Sequence, residues 1–395
     1  LRYIDLFAGI GGFRYGLDSL GYDCVFTSEI DDIPSKMYRI LHNEKEVHGD
    51  ITKIDAADVP DHDILVGGFP CQGFSINGTR LGFEYKTGNL FFEALRIAKE
   101  KKPKYVLMEN VPGLLNHDKR RTISIMAKSL SDAGYCVDFT ILTSTDFGLP
   151  QKRSRVFIVG VLEGVCSDWT ITEVKQIDTT KKAIKENFPD VKTFNFPFPQ
   201  GADQCISLES VIEKDVENIE YIEFGDFLMP LGDGMFRIKD GTIQGYTDFK
   251  PIPNETTIDY TFTTSKTRRG RIKNGMTKTL DQSVDIALYD GVGFRRISPK
   301  EVFRLQGFSD YAYMTLKDAG FKEIELYRRP SRSVSIPIIK ALGKAIQEFD
   351  MSSQIIPCFN CKYWSEFDDN IGICENRYIS EEITYPADGC SLGRL

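Results

Sequence analysis

At 395 residues the chain has room for two or three domains and a sizeable core. With 41% hydrophobic, 27% charged and 12% aromatic residues it has a globular composition, which excludes a disordered, collagen-like or disulfide-stapled small scaffold. The net charge of −8, from 49 Lys and Arg against 57 Asp and Glu, leaves no overall basic footprint for nucleic acid, and no apolar run approaches the ~20 residues of a membrane span.

The elements follow in chain order. Six apolar runs predict strands: RYIDLF (2–7), YDCVFTS (22–28), DILVGG (63–68), KYVLMEN (104–110), YCVDFTILT (135–143) and RVFIVGV (155–161). Between them lie helical patterns, such as Leu90, Phe91, Ala94, Leu95 and Ala98 over 89–101. Strand alternating with helix predicts a doubly wound, mostly parallel α/β sheet over residues 1–162. From 163 to 294 turn residues multiply, as in FNFPFPQG (194–201) and PLGDG (230–234), and the pattern predicts an irregular, β-rich insertion without a sustained helix. Ser298, Pro299 and Glu301 then fit a capping box that starts a helix near 299. A second helix over 337–349 stacks Ile338, Ile339, Leu342, Ala345 and Ile346 on one face, so 295–350 completes the first domain and 351–395 forms a tail.

Charge is distributed unevenly within the insertion. Residues 209–248 carry ten acids against three bases, whereas 260–280 carry Lys266, Arg268, Arg269, Arg271, Lys273 and Lys278 and no acid. Nine cysteines, odd in number and scattered except for four near the end, predict a reducing compartment and no disulfides. The expectation is a soluble cytoplasmic protein.

Three motifs carry chemistry. The first strand runs into Phe7, Gly9, Gly11 and Gly12, a Gly-rich turn that opens a helix and lets a ligand approach the backbone. Arg14 stands where a dinucleotide fingerprint needs a third glycine, so the match to NAD binding is partial. Glu29 at the end of the second strand is placed to accept from ribose hydroxyls, with Asp50 further on, which points to a nucleoside-bearing cofactor. The third strand ends in Pro70, Cys71, Gln72 and Ser75, where open α/β sheets place their chemistry, and the fourth delivers Glu109 to the same edge. Alternation through QKRSR (151–155) points Arg153 and Arg155 to one face. Thiol, carboxyl and guanidinium converge.

On these residues the sequence resembles the DNA (cytosine-5) methyltransferase family, over nearly all of 1–348: DLFAGIGGF (5–13), GGFPCQGFS (67–75), ENVPG (109–113), QKRSR (151–155), RRISPKEVFRLQGF (295–308) and SVSIPIIKALGKAI (333–346), in the family's order. The resemblance implies a Rossmann-like methyltransferase sheet with a target-recognition domain at 163–294, acting on duplex DNA as a monomer, with or without a cognate restriction endonuclease, in a prokaryotic or phage setting. It implies Cys71 as the nucleophile at cytosine C6, Glu109 at N3 and Arg155 with Arg153 at O2. S-adenosylmethionine would be held by Phe7, Gly9, Gly11, Glu29, Ile30, Asp50, Pro70, Asn89, Leu90, Arg332, Ser333 and Val334. Gln72, Ser75, Lys266, Arg268, Arg269, Arg271 and Lys273 would face DNA.

Three features depart from that pattern or lie beyond it. Ile30 stands where many members carry a tryptophan, so aliphatic packing would replace stacking on adenine. Arg332 stands where asparagine is usual; it would turn to a DNA phosphate or an acid, or else bind the carboxylate of carboxy-S-adenosylmethionine and yield 5-carboxymethylcytosine. In the tail, Cys358, Cys361, Cys374 and Cys390 suit a four-thiolate structural zinc site. Other readings are weaker. A zinc deaminase lacks a ligand where Phe74 stands, an NAD oxidoreductase leaves Cys71, Glu109 and Arg155 idle, and a non-catalytic DNA-binding module leaves them unexplained. An RNA cytosine methyltransferase keeps the same chemistry.

Overall fold

The computed structural model describes residues 1–69, 90–162, 166–170, 175–201, 205–214, 216, 219–240, 245–261, 263, 271–283, 285–354, 364–368 and 371–374. The chain divides into two compact units, Leu1–Lys340 and Ala341–Leu395.

In the first unit, β1 (Arg2–Leu6), α1 (Gly12–Asp18), β2 (Asp23–Ser28), α2 (Asp32–His42), β3 (Ile64–Gly68), α3 (Leu90–Lys101), β4 (Tyr105–Asn110), α4 (Arg121–Asp132), β5 (Tyr135–Thr143) and β6 (Ser154–Leu162) follow one another. The strands form one sheet in the order β2-β1-β3-β4-β6-β5. β1 to β4 are parallel, and β6 enters antiparallel to both neighbours. The predicted strands agree with these to within a residue or so. Fully buried strands read as unbroken apolar runs, which needs no alternation to detect.

Strand alternation gives the sheet two different faces. Ile4, Leu6, Leu65, Val106, Met108, Val137, Phe139, Val156 and Ile158 point to one face, where they pack with Phe91, Ile97, Ile123, Met126 and Leu130 of α3 and α4. On the other face the Tyr3 hydroxyl donates to Asp18 of α1 (2.6 Å) and Thr27 meets Tyr38 of α2 (3.0 Å). Burying such side chains stabilises by about 1.5–3 kcal/mol each, which fixes the strand ends in space.

Two expectations are corrected here. The segment after β6 does contain a helix, α5 (Lys175–Asn187), with Ile177 and Ile184 in the main core. It escapes the pattern because a lysine fills the apolar stripe: the Lys181 ammonium pairs with buried Asp138 (2.8 Å) and lies over the Trp169 ring (5.3 Å), while its stem packs as a hydrophobe would. Disulfides were not expected, yet Cys136 and Cys166 are bonded, with Cα atoms 5.7 Å apart. Composition carries no information on that proximity, which arises because β5 and the chain leaving β6 lie side by side.

Two small antiparallel sheets follow. β7 (Leu228–Gly232), β8 (Met235–Asp240) and β9 (Gly245–Phe249) form one; β10 (Thr256–Asp259), β11 (Arg271–Asn274), β12 (Ile286–Tyr289) and β13 (Phe294–Arg296) form the other in the order β11-β10-β12-β13. They share a core of Phe227, Leu228, Ile238, Ile258, Ala287 and Phe294. α6 (Pro299–Gln306) then begins with both halves of the predicted capping box. α7 (Asp310–Asp318), α8 (Glu323–Arg332) and α9 (Ile336–Gln354) complete the helices. The start of α9 sits hard on α1, since a Cβ at Gly16 would lie 2.6 Å from Ile339.

In the second unit the end of α9 precedes a hairpin of β14 (Trp364–Asp368) and β15 (Ile371–Cys374). Among the described residues no helix is long and apolar enough to cross a membrane.

Candidate active site

The carboxyl ends of β1 and β2 build the first half of the site. Phe7, Gly9 and Gly11 all adopt left-handed backbone (φ 58°, 59° and 87°), which turns the chain sharply from β1 into α1. A Cβ at Gly9 would meet nothing within 4 Å, so the turn is open on that side. Glu29 buttresses it from β2: one carboxylate oxygen accepts from Gly9 N–H and the other from Asp31 N–H, each at 2.8 Å. Burial pushes the Glu29 carboxyl up, and those two backbone donors pull it back. Ile30, 69% exposed, presents an apolar surface beside it. Ser28 bridges to His48, and that pairing draws Asp50 toward the same edge, where it caps a 3-10 turn by accepting from Thr52 N–H (3.1 Å). Leu90 opens α3 and is partly buried against the main core.

An adenosyl group suits this arrangement. The glycines give it access to the backbone, Glu29 retains lone pairs for hydroxyl donors, and Ile30 supplies an aliphatic surface.

One buried group of this region was not singled out from sequence. Asp5, in β1, is fully buried, and neither carboxylate oxygen has a hydrogen-bond partner among the described residues. Desolvation raises it well above the usual carboxylate range, with Arg14 opposing.

The ends of β3 and β4 build the second half. Gly68 pairs with Glu109 in register, and a Cβ on Gly68 would come 3.0 Å from a Glu109 oxygen, so glycine leaves the carboxylate its room. Arg155, entering β6, places Nε 2.9 Å from the other oxygen, and its Nη1 donates to Ser154 O (2.7 Å). Burial raises the Glu109 carboxyl; Arg155 first and Arg153 second oppose the shift. The exit from β3 is latched by Asn110, whose amide donates to Phe69 O (2.9 Å). Pro70, Cys71, Gln72 and Ser75, as well as Asn89, fall outside the described residues. Cys71 follows two residues after the latched Phe69.

Arg153 lies close enough to act electrostatically on both Arg155 and Glu109, and its own donors go to backbone carbonyls. β6 begins at Ser154, and Arg153, the residue before it, is nearly fully buried, donating to Leu280 O (3.3 Å), Ser331 O (3.1 Å) and Ser333 O (2.9 Å). Burial, with Arg155 nearby, pulls the Arg153 guanidinium down to about 9.

The segment it grips reaches the glycine-rich turn. A Cβ at Gly12 would lie 2.2 Å from Ser333 Oγ and 2.8 Å from Val334 Cγ2, so both residues seat on the turn. Arg332, the last residue of α8, is exposed.

Of the basic stripe, Lys266, Arg268 and Arg269 are outside the described residues. Arg271 and Lys273 alternate along β11 and so share a face, opposite Asp259 and Thr257 respectively. Lys278 is spent internally on Asp259 (2.8 Å) and Asp281 (3.1 Å). Among the described residues no cluster of His, Cys, Asp and Glu could hold a metal ion.

The family model described as C-5 cytosine-specific DNA methylase matches residues 1–348. The chain belongs to that family. It is 36% identical over 353 residues to type II methyltransferase M1.ScrFI of Lactococcus lactis subsp. cremoris, covering 88% of this chain and 78% of that one. It is 34% identical over 349 residues to type II methyltransferase M.NlaX of Neisseria lactamica (88% and 96%), and 28% identical over 432 residues to orphan methyltransferase M.SPRI of Bacillus phage SPR (88% and 97%). Among solved structures, a Spodoptera frugiperda DNMT2 variant superposes with a TM-score of 0.57 at 17% identity, covering 88% of this chain and 99% of that one. S. pombe Dnmt2 does so at 0.55, with 17% identity and coverages of 89% and 99%. These two similarities establish the fold of a C5 methyltransferase, a parallel-sheet core with added antiparallel sheets.

Proposed function

We propose that this DNA methylase flips a cytosine out of duplex DNA and methylates its C5 through a covalent Cys71 adduct. The observation that carries the reading is the Glu109–Arg155 pair, held at the strand edge where β3 ends three residues before Cys71. C5 of a stacked base is out of reach of a deep pocket, so extrusion precedes chemistry. Cytosine C5 is a weak nucleophile, and addition of the Cys71 thiolate at C6 raises electron density there. Glu109, whose carboxyl burial favours the protonated form, donates at N3 as the adduct forms. Arg155 holds O2 and offsets the developing negative charge, and as a nearby cation it favours the thiolate. Loss of the C5 proton and β-elimination of the sulfur then restore the ring.

S-adenosylmethionine, when bound, supplies an electrophilic methyl group. Phe7, Gly9, Gly11, Glu29, Ile30, Asp50, Leu90, Ser333 and Val334 would hold it, together with Pro70 and Asn89. Residues 1–162 and 295–350 form the catalytic domain in this reading, and 163–294 the target-recognition domain. Arg271 and Lys273, with Lys266, Arg268, Arg269, Gln72 and Ser75, face the duplex. Arg332, exposed at the end of α8, takes a DNA phosphate. The protein acts as a cytoplasmic monomer and needs no endonuclease for its own reaction. In the tail, the spacing of Cys358, Cys361, Cys374 and Cys390 suits a four-thiolate structural zinc site.

Bisulfite sequencing of DNA from cells expressing the chain should show marked cytosines that disappear with Cys71→Ala; marks that persist would overturn the mechanism. Mass spectrometry of the nucleosides distinguishes donors. 5-Methylcytosine alone fits Arg332 on phosphate, whereas 5-carboxymethylcytosine assigns that guanidinium to a carboxylated donor. Metal analysis of protein purified without chelator should find one zinc per chain.

A further inference from the structure

Behind the Glu109–Arg155 pair lies a buried polar cluster. Gln151 and Gln306 are each 0% exposed. The Gln151 amide donates to Leu305 O (2.8 Å) and Gln306 Oε1 (2.9 Å), and its oxygen accepts from Leu280 N–H (3.0 Å). The Gln306 amide donates to Pro330 O (3.0 Å) and Ser333 O (2.9 Å). Arg153 closes the cluster on Leu280, Ser331 and Ser333 carbonyls.

Those partners belong to three separate parts of the fold. Leu280 is in the segment between β11 and β12, Leu305 is in α6, and residues 330–332 end α8, with the capping Ser333 seated on Gly12 of the cofactor turn. The loop that joins them continues, two residues after Arg153, into Arg155. The same loop is stitched to the insertion by Lys152 N–H to Thr277 O (3.0 Å) and Thr277 N–H to Pro150 O (2.8 Å). An apolar filling of this space would be as stable or more so, but it would let the parts slide. Forked donors on defined carbonyls hold one register, because any slip leaves a buried amide unpaired.

We propose that Gln151, Arg153 and Gln306 are positioning residues for the transfer reaction, holding the Glu109–Arg155 pair, the cofactor turn and the end of the inserted sheets in a single register. Arg153 acts here through Arg155, not on the base. The inference rests on the methyltransferase reading of that pair.

Steady-state kinetics of the full chain on duplex DNA with S-adenosylmethionine test it. Misplacing a reacting group by an ångström costs about 10²-fold in rate. Gln306→Ala and Arg153→Lys should therefore lower kcat by about that factor, with KM for DNA and cofactor little changed and the melting transition retained. Because both residues hold the Ser331 and Ser333 carbonyls, the double variant should lose little more than either single one. Gln306→Glu keeps the volume but loses the donors; it should share the kcat defect and carries the test should the alanine variant fail to fold. Unchanged kcat, losses confined to KM, or additive losses would overturn the proposal. An inactive wild-type chain would instead overturn the methyltransferase reading itself.

Discussion

The six-stranded sheet and the inserted antiparallel sheets are built on opposite terms. In β3 and β4 nearly every side chain is buried, so the strand ends, and Glu109 with them, have no freedom to shift. In β7, β9 and β11 buried positions are few and most residues face solvent wholly or in part. The insertion coheres through a small aromatic core of Phe224, Phe236, Phe249, Phe294, Tyr260 and Tyr289, and through a buried ion pair, Arg295–Glu301 (2.7 Å), that ties β13 to α6. Bond-making needs groups fixed to a fraction of an ångström, which burial provides. On the proposed function the insertion would read a duplex, which calls for exposed side chains on a stable edge, and shallow sheets provide these.

That contrast can be broken in four places. Glu109→Gln, in the rigid half, should cut kcat by about 10²–10⁴-fold, the usual worth of a positioned acid, without loss of DNA binding in a gel-shift assay. A small effect would mean that the pair is structural. Glu301→Ala strands the Arg295 guanidinium in a buried site; breaking such a pair costs about 3–5 kcal/mol, read by chemical denaturation. Full retention of stability would show that the insertion does not depend on its polar anchor. On the exposed edge, Arg271→Ala and Lys273→Ala should each weaken DNA binding and reduce the slope of log K against log salt by about 0.9. Unchanged slopes would place β11 away from the phosphates.

The smallest effect concerns Asp5. Its folded-state carboxyl is raised by desolvation, with Arg14 opposing and Glu29 and Asp18 reinforcing the rise. The folded state therefore binds a proton that the unfolded chain has released, and stability falls as pH rises from about 4 toward the raised value. Asp5→Asn removes that dependence. It should raise the melting temperature at neutral pH, with the gain fading as pH falls toward 4; a gain independent of pH would put the cause elsewhere.

The sheet was legible because buried parallel strands are written as plain apolar runs, and the capping box because Ser298, Pro299 and Glu301 act within one turn. Glu109 and Arg155 could be named as partners because each sits next to a strand end. α5 was hidden, since Lys181 plays a hydrophobic part that only its Asp138 and Trp169 neighbours reveal. Gln151 and Gln306 stand within quoted motifs and still gave no sign of their burial, because a glutamine reads as a surface residue until its surroundings are known.

Residue order alone determined which chemical groups the chain owns and which strand ends deliver them, because covalent neighbours and local periodicity are properties of the sequence. Tertiary structure alone decided that Arg155 forms the ion pair with Glu109 while Arg153 holds backbone carbonyls, that Lys278 is spent on Asp259, and that one buried amide cluster joins the glycine-rich turn, the strand edge and the inserted sheets. Those outcomes depend on contacts across tens to hundreds of residues, where packing and the need to pair every buried donor choose among arrangements that the local sequence permits equally.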